Sequence, residues 1–404
     1  MNIKKKSTVV LWISLVLIFT NLSLFIIGCN SNYLINNTLK YVSLGLFIIG
    51  LIVFIMNLFI LIKNRTKRGF NKVVAILIYI ICIIYGALNI TGLVLLYGPN
   101  KDFENWLVTT AMQTMHHKHY CKWFYSEEEI SKIMSENTIE EIIEDTDTSL
   151  IVHEEKITYD NEYERAILER EKDAVYKIIR FKVNDCDAFL AAIYDPSRIH
   201  IGVTKDIGVS GHYLTRMAKE QNAILAINGG GFFDPNYSSN GANPLGVTIA
   251  DGKIVTDNNY NSNKGLIGFD VNDNLILRKK TTADEAINMG IRDAVTMGPF
   301  LIVNGKSSFI RGNGGWGLAA RTAIGQRADG IVLFLVVDSN EIRSKGASMY
   351  DLTEIMENYG AVNAANLDGG TSSVMVENGE LLNDPIDSAL RHKTRPIPTF
   401  FKVV

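Results

Sequence analysis

The sequence gathers its chemistry into short blocks, each at the end of a β-prone run. Asn366-Leu367-Asp368-Gly369-Gly370-Thr371-Ser372-Ser373 is the richest of them. Its one carboxylate, Asp368, can serve as base, acid or nucleophile. The amides and hydroxyls of Gly369, Gly370, Thr371 and Ser372 can hold phosphate oxygens. An Asp-Gly-Gly hairpin with no chemistry is the plainer reading, and the hydroxyls that follow it weigh for function. A second block, Ala226-Ile227-Asn228-Gly229-Gly230-Gly231-Phe232-Phe233-Asp234, offers Asn228 as both donor and acceptor. Gly229, Gly230 and Gly231 allow close approach of bare backbone to a ligand. A glycine-rich turn with Phe232 and Phe233 in the core explains that block as well.

A third block, Ala320-Arg321-Thr322-Ala323-Ile324-Gly325, places a guanidinium inside a run of small and apolar residues. Burying it without an anion is expensive, and its planar fork suits phosphate or carboxylate. A structural ion pair is the other reading, with Asp338 at the end of the next apolar run as partner, and both can hold together. Asp338 is also a candidate second carboxylate. Met297-Gly298-Pro299-Phe300-Leu301 carries no acid–base chemistry and reads as a wall.

Histidines and cysteines add little. His116, His117, His119 and Cys121 lack the spacing of a zinc site and read as one face of a helical stem. His200 and His212 stand alone. No metal site and no cofactor are expected, and whether a divalent metal is required stays open. P-loop, serine-elbow and HExxH patterns are absent from the sequence, which weighs against nucleotide hydrolysis, α/β-hydrolase and zinc-peptidase chemistry.

The elements that must position these groups are short β-prone runs with hairpin turns. Asp251-Gly252, Asn304-Gly305, Asp329-Gly330 and Asn378-Gly379 each lie beside such a run, and these dipeptides favour tight turns. Helices are expected near 211–221, 283–290 and 347–359, the last closed by Gly360. Hairpins with occasional helices predict an α+β fold with a largely antiparallel mixed sheet, not an alternating α/β fold.

The 404 residues exceed one ordinary domain, and a net charge of -3 gives no case for nucleic-acid binding. Three apolar runs, about 8–28, 40–62 and 73–97, are long enough to span a bilayer. The expected organisation is therefore a three-helix transmembrane anchor over 1–98, an extracytoplasmic helical stem over 99–150 and a catalytic domain over 151–404. Lys4, Lys5 and Lys6 precede the first run, and Lys63, Arg65, Lys67, Arg68 and Lys72 fall between the second and third. Positive-inside reasoning puts these in the cytoplasm and the C-terminal domain outside the cell membrane. Ile26-Ile27-Gly28-Cys29 also fits a lipoprotein cleavage site, which would lipidate Cys29 without changing the side on which the domain lies. Cys121 and Cys186 are expected as two buried thiols, with pairing as the alternative.

In their order along the chain, AINGGGFFD, GVTIADGKIV, MGPFLIVNG, ARTAIG and LDGGTSS resemble the phosphodiester glycosidase family, over roughly residues 180–403. This is the N-acetylglucosamine-1-phosphodiester α-N-acetylglucosaminidase type of domain. Its bacterial members are often described as exopolysaccharide biosynthesis proteins. Many relatives carry glycine where this chain has Thr371, and the Asn-Gly block here has one glycine more. Both departures leave open which amide or hydroxyl meets substrate.

The resemblance implies hydrolysis of a sugar-1-phosphodiester between the anomeric carbon and oxygen. A phosphate monoester leaves readily and needs cationic stabilisation more than a general acid. That suits Arg321 and the glycine amides as phosphate holders. A carboxylate is needed on the sugar side, with Asp368 the first choice and Asp338 the second. Asn228 and Ser372 would hold sugar hydroxyls or phosphate. The expected partners are a sugar-phosphodiester or anionic glycan and a lipid bilayer. Two other functions fit the same residues: a non-catalytic module that binds anionic glycans, and a structural component of a polysaccharide assembly or export complex.

Overall fold

The structure is a computed structural model that describes residues 3–31, 37–63, 72–113, 118–153, 158–234, 239–258, 264–339, 346–387 and 391–404. It divides into two compact units, Met1–Glu136 and Asn137–Val404.

The first unit is helical. Long apolar runs form the helices Ile3–Asn30, Asn37–Lys63 and Lys72–Tyr97. Polar side chains meet between the first and third: Thr20 Oγ1 lies 2.6 Å from the Tyr85 hydroxyl, and Ser23 donates to Asn89 Oδ1 at 2.9 Å. Such pairs satisfy polar groups that lipid could not. Two stretches, Val10–Asn30 and Asn37–Met56, are long and apolar enough to cross a membrane. The third does so only when Ile83–Tyr97 is joined to Lys101–Met112 across a 76° bend. This corrects the expected three spans to two candidate spans plus one bent pair. Among the described residues, the third apolar run turns by 76° where Ile83–Tyr97 gives way to Lys101–Met112, so it does not continue as one straight helix.

The segment expected as a stem contributes to both units. Helices Lys101–Gln113, Lys118–Phe124 and Glu127–Glu136 pack Val108, Cys121, Tyr125, Ile130 and Ile133 together within the first unit. Ser126 Oγ accepts from the Glu129 amide at 3.1 Å and caps the last of them, as its sequence spacing suggests. His116 and His117 lie outside the described residues, while the His119 ring packs 4.1 Å from Tyr120. Residues 137–150 belong to the second unit, where Ile139–Glu140 pairs with Phe309–Ile310. Cys121 and Cys186 are both buried, one in each unit.

The second unit is built from three larger sheets, and every strand pairing among the described residues is antiparallel. The seven-stranded sheet runs in the order 306–307, 300–303, 361–366, 321–327, 332–337, 186–193 and 176–183. One five-stranded sheet has the order 253–257, 247–250, 291–297, 265–270 and 275–279. The other has 380–381, 375–377, 225–228, 399–403 and 199–203. The hairpin dipeptides sit where expected, and Asn378 and Gly379 both have positive φ, at 50° and 81°, as a type I′ turn requires.

Side chains alternate along the strands and so divide the interior. Phe189, Ala191 and Ile193 face a core shared by all three sheets, while Leu190 and Ala192 face the opposite way. Helix Met349–Asn358 covers that second face, with Met349, Leu352 and Met356 buried on it. Leu214–Glu220 and Ala283–Asn288 cover the outer faces of the two smaller sheets in the same manner. All three helices overlap the expected segments. Helix Glu162–Leu168 was not expected.

The shared core closes on three phenylalanines, one from each sheet. Phe401 lies 6.1 Å from Phe334 and 6.3 Å from Phe269, centroid to centroid. Each is fully buried. Phe401→Ala should lower unfolding free energy by about 3–5 kcal/mol. A drop in the denaturant midpoint with unchanged slope would report this.

Candidate functional site

The strand ends at one rim of the shared core bring the sequence blocks together. Asn228 ends one strand, Met297 another and Asn366 a third, while Arg321, Gly265 and Thr399 each begin one. Backbone hydrogen bonds stitch the rim: Gly231 N to Thr296 O at 3.1 Å, Asp368 N to Gly229 O at 3.2 Å, and Asn366 N to Pro299 O at 3.0 Å. Three sheets are thus fastened at the residues that carry the chemistry.

Arg321 is buried, with 5% of its surface exposed. Its Nε donates to Ala347 O at 3.2 Å, and its Nη2 to Trp316 O at 2.6 Å and Gly317 O at 3.1 Å. These carbonyls hold the planar fork in one orientation. Among the described residues Nη1 donates to none, and it lies against the Gly369 turn: a Cβ on Gly369 would be 3.5 Å from it. Burial lowers the guanidinium pKa to about 10, while Asp368 pushes it back up. The group stays cationic at neutral pH. The alternative ion pair to Asp338 is not made among the described residues.

Asp368 sits on the floor of the rim, with protein packed around it yet part of its surface open to solvent. Burial raises its carboxyl pKa. Ser372 opposes that shift, with its Oγ beside the carboxylate but short of good hydrogen-bond geometry. Arg395 and the Gly369 amide also favour the ionised form, while Asp234 disfavours it. Arg395 is itself paired with Asp234 and stacked over Phe232 at 4.5 Å, so the C-terminal segment closes one side of the site.

The other expected site residues act differently. Asn228 is fully buried and its amide is engaged within the protein. Nδ2 donates to Asp368 O at 2.7 Å, while Oδ1 accepts from Thr322 Oγ1 at 2.6 Å and Val374 N at 3.1 Å. Asn228 thus holds the Asp368 backbone in place. Gly229, Gly230 and Gly231 are glycine because protein backbone and side chains crowd them: an added Cβ would lie 2.7 Å from Thr399 Oγ1, 2.8 Å from Thr296 O and 2.8 Å from Leu245 Cδ1 respectively. The Gly229 and Gly231 amides already donate to Thr399 and Thr296 carbonyls. Gly370 donates to Ala320 O, and with Thr371 and Ser372 forms a single 3-10 turn.

Asp338 accepts from Asn383 Nδ2 at 2.6 Å and from Asp384 N at 2.9 Å. Asn383 in turn donates to Ser373 O at 3.0 Å. Asp338 therefore braces the turn after Asp368 from behind, and its contacts do not bring it to Arg321. Sequence reasoning missed Lys264, Arg395, Asp234, Trp316 and Glu141, all of which gather at this rim. Glu141 accepts from Phe300 N at 2.8 Å and forms an ion pair with Lys279 at 2.7 Å.

The one histidine–carboxylate cluster with metal-compatible spacing among the described residues lies elsewhere. His200 Nδ1 is 3.3 Å from Asp293 and 3.4 Å from Asp251, near the other end of the 291–297 strand. Arg292 also donates to Asp293 there.

In comparison with known proteins, residues 221–404 match the family model described as phosphodiester glycosidase. The chain is 29% identical over 204 residues to the SPbeta prophage-derived uncharacterized protein YomE of Bacillus subtilis, covering 49% of this chain and 30% of that one. It is 37% identical over 70 residues to the N-acetylglucosamine-1-phosphodiester alpha-N-acetylglucosaminidase of Bos taurus, covering 17% of this chain and 13% of that one. The chain thus spans less than a third of the length of either relative. Among solved structures, the zebrafish N-acetylglucosamine-1-phosphodiester alpha-N-acetylglucosaminidase catalytic domain aligns at 20% identity and a TM-score of 0.48, over 59% of this chain and 86% of that one.

The raised pKa of Asp368 has a consequence for stability. The folded protein holds this proton more tightly than the unfolded chain, so stability falls as pH rises from the ordinary value of 3.8 through the folded pKa. An amide mimics the neutral acid. Asp368→Asn should therefore raise the Tm at pH 7, with the gain vanishing below about pH 4. An unchanged or lower Tm at pH 7 contradicts the electrostatic assignment.

Proposed function

We propose that this domain hydrolyses a sugar-1-phosphodiester at the bond between the anomeric carbon and oxygen, in cell-surface polysaccharide or glycan metabolism. The observation that carries this reading is the rim itself, where a buried guanidinium with unused donors stands beside a carboxylate of raised pKa. A buried cation without a bound anion is costly, and the Nη1 donors fit a phosphate oxygen.

In this reading Arg321 holds the phosphate, and the phosphate oxygen takes the electron pair as the bond from C1 breaks. Asp368 serves the sugar side. As an ionised group it can accept a proton from the attacking water, or itself attack C1. Asn366 Oδ1, Ser373 Oγ and Thr399 Oγ1 are buried near the rim without hydrogen-bond partners among the described residues. Substrate hydroxyls or ordered water would relieve that cost. Asn228 and Asp338 act as supports, the first on the Asp368 backbone and the second on the turn that follows.

We place the domain outside the cell membrane. The basic residues on either side of the first two helices support a cytoplasmic N-terminus. The bent pair Ile83–Tyr97 and Lys101–Met112, taken as one span, would supply the third crossing that this placement needs. Protease added to intact cells should remove the second unit; protection of that unit would overturn the placement.

The activity is tested with full-length protein in detergent, a panel of sugar-1-phosphodiesters, and release of reducing sugar with and without chelator. Asp368→Asn should abolish turnover in a protein that still folds. Arg321→Met should lower kcat/KM by roughly 100-fold or more. Wild-type rates in either variant would remove that residue from the proposed chemistry.

A further inference from the structure

Lys264 is a second cation at the rim, and it differs from its neighbour Lys279. Lys279 is neutralised by Glu141 at 2.7 Å and lies over the Phe300 ring. Lys264 precedes the 265–270 strand and stands 4.2 Å from the centroid of Trp316, the same indole that lies 5.9 Å from Arg321 Cζ. Among the described residues no carboxylate or carbonyl bonds its ammonium. The charges that it feels are Glu141, Lys279 and Asp368. Trp316 thus lies beside both an ammonium with no carboxylate or carbonyl partner among the described residues and a half-satisfied guanidinium, both within the influence of Asp368. That excess of positive charge, with donors left over on two side chains, fits an anionic ligand with several acceptor oxygens.

The reading of the site as a phosphodiester glycosidase, on which this inference rests, supplies such a ligand. A sugar-1-phosphodiester carries one negative charge. When the bond from C1 to oxygen breaks, its electron pair stays on that oxygen, and the phosphate monoester becomes a dianion. Water supplies the new C1 hydroxyl and gives up a proton. We propose that Lys264 binds the phosphate and takes the second charge as it develops, so that it favours a phosphate, which is charged before the bond breaks and leaves as a dianion, over an aryl group that is neutral until it leaves. An interaction stronger in the transition state than in the bound substrate lowers the barrier and shows in kcat more than in KM.

Burial lowers the Lys264 pKa to about 8, Lys279 adds to that shift, and Glu141 and Asp368 oppose it. Phosphodiester turnover should therefore fall as pH rises through about 8. Lys264→Arg should keep activity and move that limb upward, because a guanidinium stays charged.

The test uses full-length wild type, Lys264→Met and Lys264→Arg in detergent, with a sugar-1-phosphodiester, the 4-nitrophenyl glycoside of the same sugar, and inorganic phosphate. Lys264→Met should lower kcat on the phosphodiester by about 10- to 100-fold with little change in KM. It should weaken inorganic phosphate binding by about 10-fold and spare the aryl glycoside. Equal losses on both substrates, or no loss on either, would overturn the role of Lys264. Should wild type turn over neither substrate, the glycosidase reading fails by itself, and phosphate calorimetry still decides on Lys264. Weaker binding to Lys264→Met than to wild type keeps it as a phosphate-binding residue, whereas equal or undetectable binding to both removes it.

Discussion

Arg321 enters the protein interior with its charge only partly answered. Backbone carbonyls of Ala347, Trp316 and Gly317 take the Nε and Nη2 donors, and Nη1 is left against the turn that carries Asp368. Carbonyl dipoles can orient a guanidinium, but they do not neutralise it. The neighbouring structure serves this arrangement. The seven-stranded sheet supplies both Arg321 and Asp368, and Asn228 reaches from another sheet to fix the Asp368 backbone. The site is therefore rigid where direction matters and incomplete where charge matters, as expected of a surface preorganised for an anion.

The same logic separates the polar residues of the rim into groups with different duties. Asn228 and Asp338 have their polar atoms engaged inside the protein and act on the geometry of Asp368. Arg395 and Asp234 pair with each other and tune its charge. Arg321 and Lys264 keep donors that the described residues do not use. A phosphate bound by those two cations would place its ester oxygen within the influence of a carboxylate whose basicity burial has increased.

Much of this was legible in the sequence, for identifiable reasons. Hairpin turns were readable because Asn-Gly and Asp-Gly report local backbone geometry, as at Asn378-Gly379. Arg321 stands out because a charge inside an apolar run violates local expectation, and Asp368 because a carboxylate among glycines and hydroxyls at the end of a β-prone run has the parts of a site. The role of the glycine run was not readable: a glycine that admits a ligand and one that admits Thr399 or Thr296 look alike in one dimension. Asn228 was read as a substrate holder for the same reason, since an amide's partners are set by tertiary register. Lys264 and Arg395 lie in polar segments where a basic residue draws no notice, and only the convergence of three sheets brings them to the site. The three apolar runs were visible as helices, but run length alone did not separate two full spans from a bent pair.

The central claim is that this rim breaks the bond on the sugar side of a phosphodiester. Hydrolysis in water enriched in oxygen-18, followed by mass analysis of the phosphate monoester, tests it directly. The account predicts an unlabelled monoester, because water attacks C1 and the original bridging oxygen leaves with phosphorus. Incorporation of oxygen-18 into the monoester would show attack at phosphorus and contradict it.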